Sequence, residues 1–182
     1  MLTVYTFGDS ILDCGHYNVY GIHPAGLLVR NDGRLFPEFE GRDLQSRHPV
    51  QLEQRAVDGA TVAGLASQAR GLAAGSKEQP SLALLTVGGN DLIRGLAADA
   101  GPGMREFERS LSAFLESLPL RPVYIGTVYD PTFGDDSRNF LGVAPALARA
   151  NLGRINDILR AFGSRHGRPV DIEAHFLSGE AS

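Results

Sequence analysis

Residues 2–10 read LTVYTFGDS, and this stretch decides the fold. Its first six residues are apolar or β-branched without the alternation of a half-solvated strand. That pattern suits a strand of a parallel sheet covered on both faces. It then stops in Gly8-Asp9-Ser10, a small residue, a carboxylate and a hydroxyl. Such a turn either caps the next helix or presents the serine to a ligand.

Three further runs have the same character: Leu82–Val87 (LALLTV), Val123–Val128 (VYIGTV) and Pro169–Ile172 (PVDI). Leu52–Val57 (LEQRAV) is a weaker fifth. Segments of helical period lie between them. Val62–Ala74 sets Val62, Leu65, Ala66, Ala69 and Leu72 on one stripe. Met104–Leu118 does so with Met104, Phe107, Leu111, Phe114, Leu115 and Leu118, and Ala146–Phe162 with Leu147, Ala150, Ile155, Ile158, Leu159 and Phe162. Strands alternating with helices of this length predict right-handed crossovers and a doubly wound α/β domain. Residues 13–49 and 129–145 fit the alternation poorly. They predict two long loops, the first with a short hairpin or short helix.

The chain has 182 residues, enough for one domain whose core needs no metal or disulfide staple. Its net charge of −4 argues against nucleic-acid binding. Arg154, Arg160, Arg165 and Arg168 read as a solvated helix face. The single cysteine, Cys14, reads as a packed thiol, and the absence of Cys/His ligand spacing argues against structural zinc. No cofactor is expected. No leader pattern precedes the first strand and no apolar run approaches 18 residues. A cytoplasmic location is the corresponding expectation.

Three strands end in compact polar turns: Gly8-Asp9-Ser10, Asp58-Gly59-Ala60-Thr61 and Gly88-Gly89-Asn90-Asp91. In an open parallel sheet these ends share one edge, where ligands bind. Each turn alone is an ordinary cap. Together they offer a hydroxyl, a glycine N–H and a side-chain amide, the parts needed to attack a carbonyl and hold the resulting oxyanion.

The blocks FGDSILD, VDGAT (57–61) and VGGND (87–91) resemble, in order and spacing, the signature of the GDSL, or SGNH, hydrolases. The resemblance implies a flavodoxin-like three-layer α/β/α sandwich with a mostly parallel sheet of about five strands. It implies a single domain over residues 1–182, and hydrolysis of small acyl or acetyl esters through an acyl-enzyme. Ser10 would be the nucleophile. The backbone N–H groups of Ser10 and Gly59 and the Asn90 side chain would form the oxyanion hole. The G-x-S-x-G elbow of α/β-hydrolases is absent.

The family also places a catalytic histidine three residues after an aspartate, ahead of a final helix. The histidines are His16, His23, His48, His166 and His175. His166 reads as a cationic helix C-cap. Only His175 follows the last strand, and Asp171 stands four residues before it. Extended geometry would put these two about 13 Å apart. Either His175 is the base, with Asp171 or Glu173 as its partner, or the base lies beyond Ser182. Seven residues after His175 leave little room for the family's terminal helix. Without that helix, an uncovered sheet face would favour self-association. Two other readings stay open: a catalytically impaired domain of this fold kept for binding, and a flavodoxin-like module whose first turn cradles a phosphate. Tyr17, Asn18, Tyr129 and Phe133 are the candidates to line a substrate site.

Overall fold

The computed structural model describes residues 1–72 and 80–179. Five parallel strands form one sheet: β1 (Leu2–Gly8), β2 (Val50–Gln54), β3 (Ser81–Thr86), β4 (Val123–Gly126) and β5 (Gly167–Val170). Their order is β2-β1-β3-β4-β5, the flavodoxin-like arrangement in which the chain reverses its direction of travel between β1 and β3. The expected class and strand number are therefore observed. The last strand ends at Val170, before Asp171, because Asp171 starts a helix.

The main core lies on one sheet face. Phe7, Ala83, Leu85, Val123 and Ile125 point into it and are at most 1% exposed. Two helices cover them. Helix α4 (Pro102–Ser117) buries Met104, Phe107, Leu111, Phe114 and Leu115, as its period predicts. Phe114 meets Phe7 edge-on at 5.6 Å between ring centres. Helix α5 (Pro145–His166) buries Ile155, Leu159 and Phe162. Its first turns depart from expectation. Leu147 is exposed, while Asn151 and Asn156 are fully buried. Their amides satisfy loop carbonyls: Asn151 donates to Ala97 O and Asp99 O, and Asn156 exchanges two bonds with the Val128 backbone. Buried polar side chains that substitute for backbone partners in this way stabilise irregular segments.

The other face is thinly covered by the described residues. Val4 and Val50 pack there against Val29 of the short helix α1 (Pro24–Val29), while Leu2, Leu52, Leu82 and Leu84 stay half-buried. The first long segment contains α1 and two 3-10 turns, Gly15–Tyr17 and Pro37–Phe39, and no hairpin among the described residues. The helix expected over 62–74 is a 3-10 turn, Val62–Gly64, followed by α2 (Leu65–Gln68). Residues 73 and 74 of that expectation, and residues 180–182 of the tail, lie outside the described residues. Among the described residues, no helix is long and apolar enough to cross a membrane.

After β5 comes α6 (Ile172–Gly179), so the tail does form a helix. Asp171 caps it, accepting the Ala174 N–H at 3.1 Å. The extended geometry expected between Asp171 and His175 is therefore wrong. The backbone turns helical at once, and the His175 N–H donates to Asp171 O at 3.3 Å. Residues four apart on a helix are neighbours.

Candidate active site

Ser10 follows β1 and Asn90 follows β3, so the two flank the point where the strand order reverses. Both line one cavity of about 210 Å³. The Ser10 turn is built by three constraints. Gly8 has φ of +113°, and a Cβ there would collide with the Thr86 backbone, so only glycine fits. The Gln68 side chain clamps Gly8 from the side, accepting its N–H at 2.7 Å and donating to its carbonyl at 2.8 Å. Asp9 turns inward, accepts the Thr86 hydroxyl at 2.7 Å and the Ile11 N–H at 3.2 Å, and is 4% exposed. Inward Asp9 leaves Ser10 on the cavity side. Burial pushes the Asp9 carboxyl up to about 6, more than the Thr86 and Ile11 donors lower it.

Helix α3 (Gly89–Ile93) ties the second turn to the third. Asn90 Nδ2 donates to Ala60 O at 3.0 Å. Asp91 accepts the Val62 N–H on both oxygens at 3.2 Å. Arg94, just past the helix, donates to Gly59 O at 2.9 Å. An amide NH2 carries two hydrogens, so Asn90 retains one for a ligand after bonding Ala60. Gly59 has φ of +73° and lies outside the cavity wall. Its N–H helps hold the neighbouring Asp58 carboxylate. The Tyr17 hydroxyl does so first, at 2.7 Å, and His16 Nε2 sits 3.1 Å away. These contacts place Asp58 below the usual carboxylate range.

His175 is not in the cavity wall, but its neighbour Phe176 stacks on Tyr129 at 4.6 Å, and Tyr129 is. Asp171 sits at the same sheet edge. Its carboxylate takes the Ala174 N–H, Arg160 Nη2 at 3.3 Å and the Thr127 hydroxyl at 3.3 Å. The Ala174 bond, then Arg160, keep it below its ordinary range. Arg160 also reaches Glu173 at 2.7 Å. Far from being a solvated cation, it organises the start of α6. The cationic C-cap expected of His166 is also corrected. Burial first, then Arg121 and Arg165, lower its pKa, and Arg121 Nη2 lies 3.0 Å from its Nδ1.

Of the four expected lining residues, only Tyr129 lines the cavity. Tyr17 is spent on Asp58, Asn18 on its own loop, and Phe133 lies behind Phe176. The wall comes instead from 127–132, 139–141 and the first turns of α5. Cys14 is half-buried, and burial raises its thiol, as a packed cysteine requires. Among the described residues, no three His, Cys, Asp or Glu side chains group to hold a metal ion. Gln68, Asp91 and Arg94 are the supporting residues the sequence reading passed over. Only the adjacency of Asp91 and Arg94 to Asn90 hinted at them.

The profile of the GDSL-like Lipase/Acylhydrolase family matches residues 6–182. No curated protein matches the chain in sequence. Several solved structures share its fold. The acetyl xylan esterase AlAXEase superposes with a TM-score of 0.65 at 17% identity, over 97% of this chain and 80% of its own. Axe2, an acetylxylan esterase from Geobacillus stearothermophilus, gives 0.65 at 18%, over 99% and 80%. LAE5, an α/β hydrolase enzyme from the metagenome of Lake Arreo, Spain, gives 0.62 at 20%, over 98% and 80%. Axe2 has also been solved as two catalytic mutants, one at a serine and one at a histidine.

Proposed function

The chain belongs to the GDSL-like lipase/acylhydrolase family and is a carboxylic ester hydrolase; on that premise we propose that it hydrolyses small acyl or acetyl esters through an acyl-enzyme on Ser10. The observation that carries this is the shared cavity. Ser10 and Asn90, eighty residues apart in sequence, face one space at the reversal of strand order. Ser10 Oγ attacks the ester carbon while a base takes its proton. The oxyanion is received by the Ser10 N–H and the second Asn90 hydrogen; the Gly59 N–H, expected as a third donor, lies outside the cavity wall and serves Asp58 instead. The C–O bond to the alcohol breaks, the base returns the proton to the leaving oxygen, and water repeats the sequence to free the acid.

His175 is the base in this reading. Support comes from its position at the strand edge beside Phe176, which packs on cavity residue Tyr129, and from the catalytic histidine of Axe2. Asp171 is its partner in this reading: it caps the helix that carries His175, and its carboxylate is itself held by Ala174, Arg160 and Thr127. One observation favours a second reading. His16 already contacts a carboxylate, Asp58, next to Gly59. The thinly covered sheet face is proposed to pair with a second copy of the chain.

The experiment is fluorophosphonate labelling together with p-nitrophenyl acetate hydrolysis. Ser10→Ala is expected to abolish both, and unchanged hydrolysis in that variant rejects the reading. Asn90→Ala is expected to lower kcat about 10²- to 10³-fold, as for loss of one oxyanion donor. His175→Ala and His16→Ala, compared across pH, separate the two bases. The true base takes the rising limb of the profile with it.

A further inference from the structure

Only part of the 210 Å³ cavity is needed to bind an acetyl ester. An acetyl methyl needs about the space of one water, roughly 30 Å³, so the cavity has room for about seven such groups. Its inner wall is apolar. Val87 and Leu92 are buried, and Val128, Ala148 and Leu152 are half-buried. Of its three charged residues, Asp136 and Arg149 are exposed and paired with each other, and half-buried Asp130 accepts the Thr132 N–H and hydroxyl. A hydrocarbon chain suits that interior better than water or a polyol.

We propose that this cavity is an acyl-chain pocket that favours acids of about six carbons over acetate; the inference rests on Ser10 being the nucleophile. With the carbonyl carbon at Ser10 and its oxygen on Asn90, one substituent of the ester enters the cavity. The alcohol must leave when the acyl-enzyme forms, whereas the acyl group stays bonded to Ser10 Oγ until water arrives. A chain seated among Val87, Leu92 and Leu152 holds that intermediate in place while the alcohol exits. Ala148 and Leu152, one turn apart on α5, set the depth from one side. Asn156, one turn further along α5, clamps Val128, which also lines the cavity.

The test measures kcat/KM for p-nitrophenyl acetate, butyrate, hexanoate and decanoate, and thermal melting with free acetate or hexanoate. Wild type, Ala148→Phe and Leu152→Phe are compared. Each methylene up to hexanoate is expected to raise kcat/KM roughly fourfold, the factor for burying one CH2, with a fall at decanoate. Hexanoate, but not acetate, raises Tm. Either phenylalanine removes the hexanoate advantage and spares acetate. A flat or falling series from acetate, unchanged in both variants and without a hexanoate shift, overturns the pocket while leaving the esterase reading intact. A steep rise along ethyl, butyl and hexyl acetate with a flat acyl series also overturns it, by placing the alcohol in the cavity. No turnover of any ester, with a hexanoate shift that either phenylalanine removes, sinks the esterase reading and keeps the pocket. No turnover and no shift sinks both.

Discussion

Asp9 is a carboxylate that the fold keeps from water next to the serine it helps aim. Burial raises its pKa from 3.8 to about 6, and Asp91 is raised by burial as well. Between about pH 4 and 6 Asp9 therefore holds a proton in the native state that the unfolded chain has released. The Asp9 contribution to stability is fully present below that window and is lost as pH rises through it, about 3 kcal/mol. Asp9→Asn can still accept from Thr86 and Ile11. It is expected to raise Tm at pH 7.5, with no gain at pH 4. Melting curves that keep the wild-type pH dependence in this variant would assign the effect elsewhere. A second residue-scale prediction concerns Gln68. Gln68→Leu strands the Gly8 N–H, costing about 1–3 kcal/mol when buried, while the Gly8 carbonyl keeps the Val57 N–H at 2.9 Å. Urea unfolding is expected to record that loss, and kcat should fall because Ser10 lies two residues on.

At the scale of elements, the site depends on how α3 and α5 are anchored. α3 holds the 58–62 turn through Asn90, Asp91 and Arg94, so its residues combine a catalytic candidate with its own supports. Arg94→Ala removes one charge-assisted bond on an exposed side chain. Global stability is expected to change by less than about 1 kcal/mol. kcat is expected to drop, because the Gly59 turn loses a fixed carbonyl; unchanged kcat would show that α3 holds the turn without it. α5 was legible as an amphipathic helix, and its C-terminal half packs as its period requires. Its N-terminal half does not, because it extends past the sheet and lines the cavity with Ala148 and Leu152. Apolar residues facing a ligand space look like core residues in sequence. The buried Asn151 and Asn156 were not legible at all, since their partners are carbonyls remote in sequence.

For the whole molecule, the asymmetry between the two sheet faces matters most. One face is sealed by α4 and α5. On the other, Leu2, Leu52, Leu82 and Leu84 are only half-buried. Pairing with a second copy would bury them, and sedimentation at tens of micromolar is expected to give a dimer that Leu84→Lys weakens. A monomer at that concentration rejects the pairing.

By itself the sequence determined the strand and helix periods, the polar turns at three strand ends, and hence the parallel sheet with Ser10, Gly59 and Asn90 at one edge. These follow from local pattern and from the geometry that parallel crossovers impose. Tertiary structure alone decided which residues hold those turns, that Asp171 caps a helix, that His16 and Tyr17 meet Asp58, and that the cavity reaches into an apolar wall. Apart from the Asp171 cap, which is local, these depend on contacts between residues about 30 to 60 or more apart in the chain, such as Asn90 with Ala60 and Gln68 with Gly8, where no periodicity carries information and only the packed fold selects the partner.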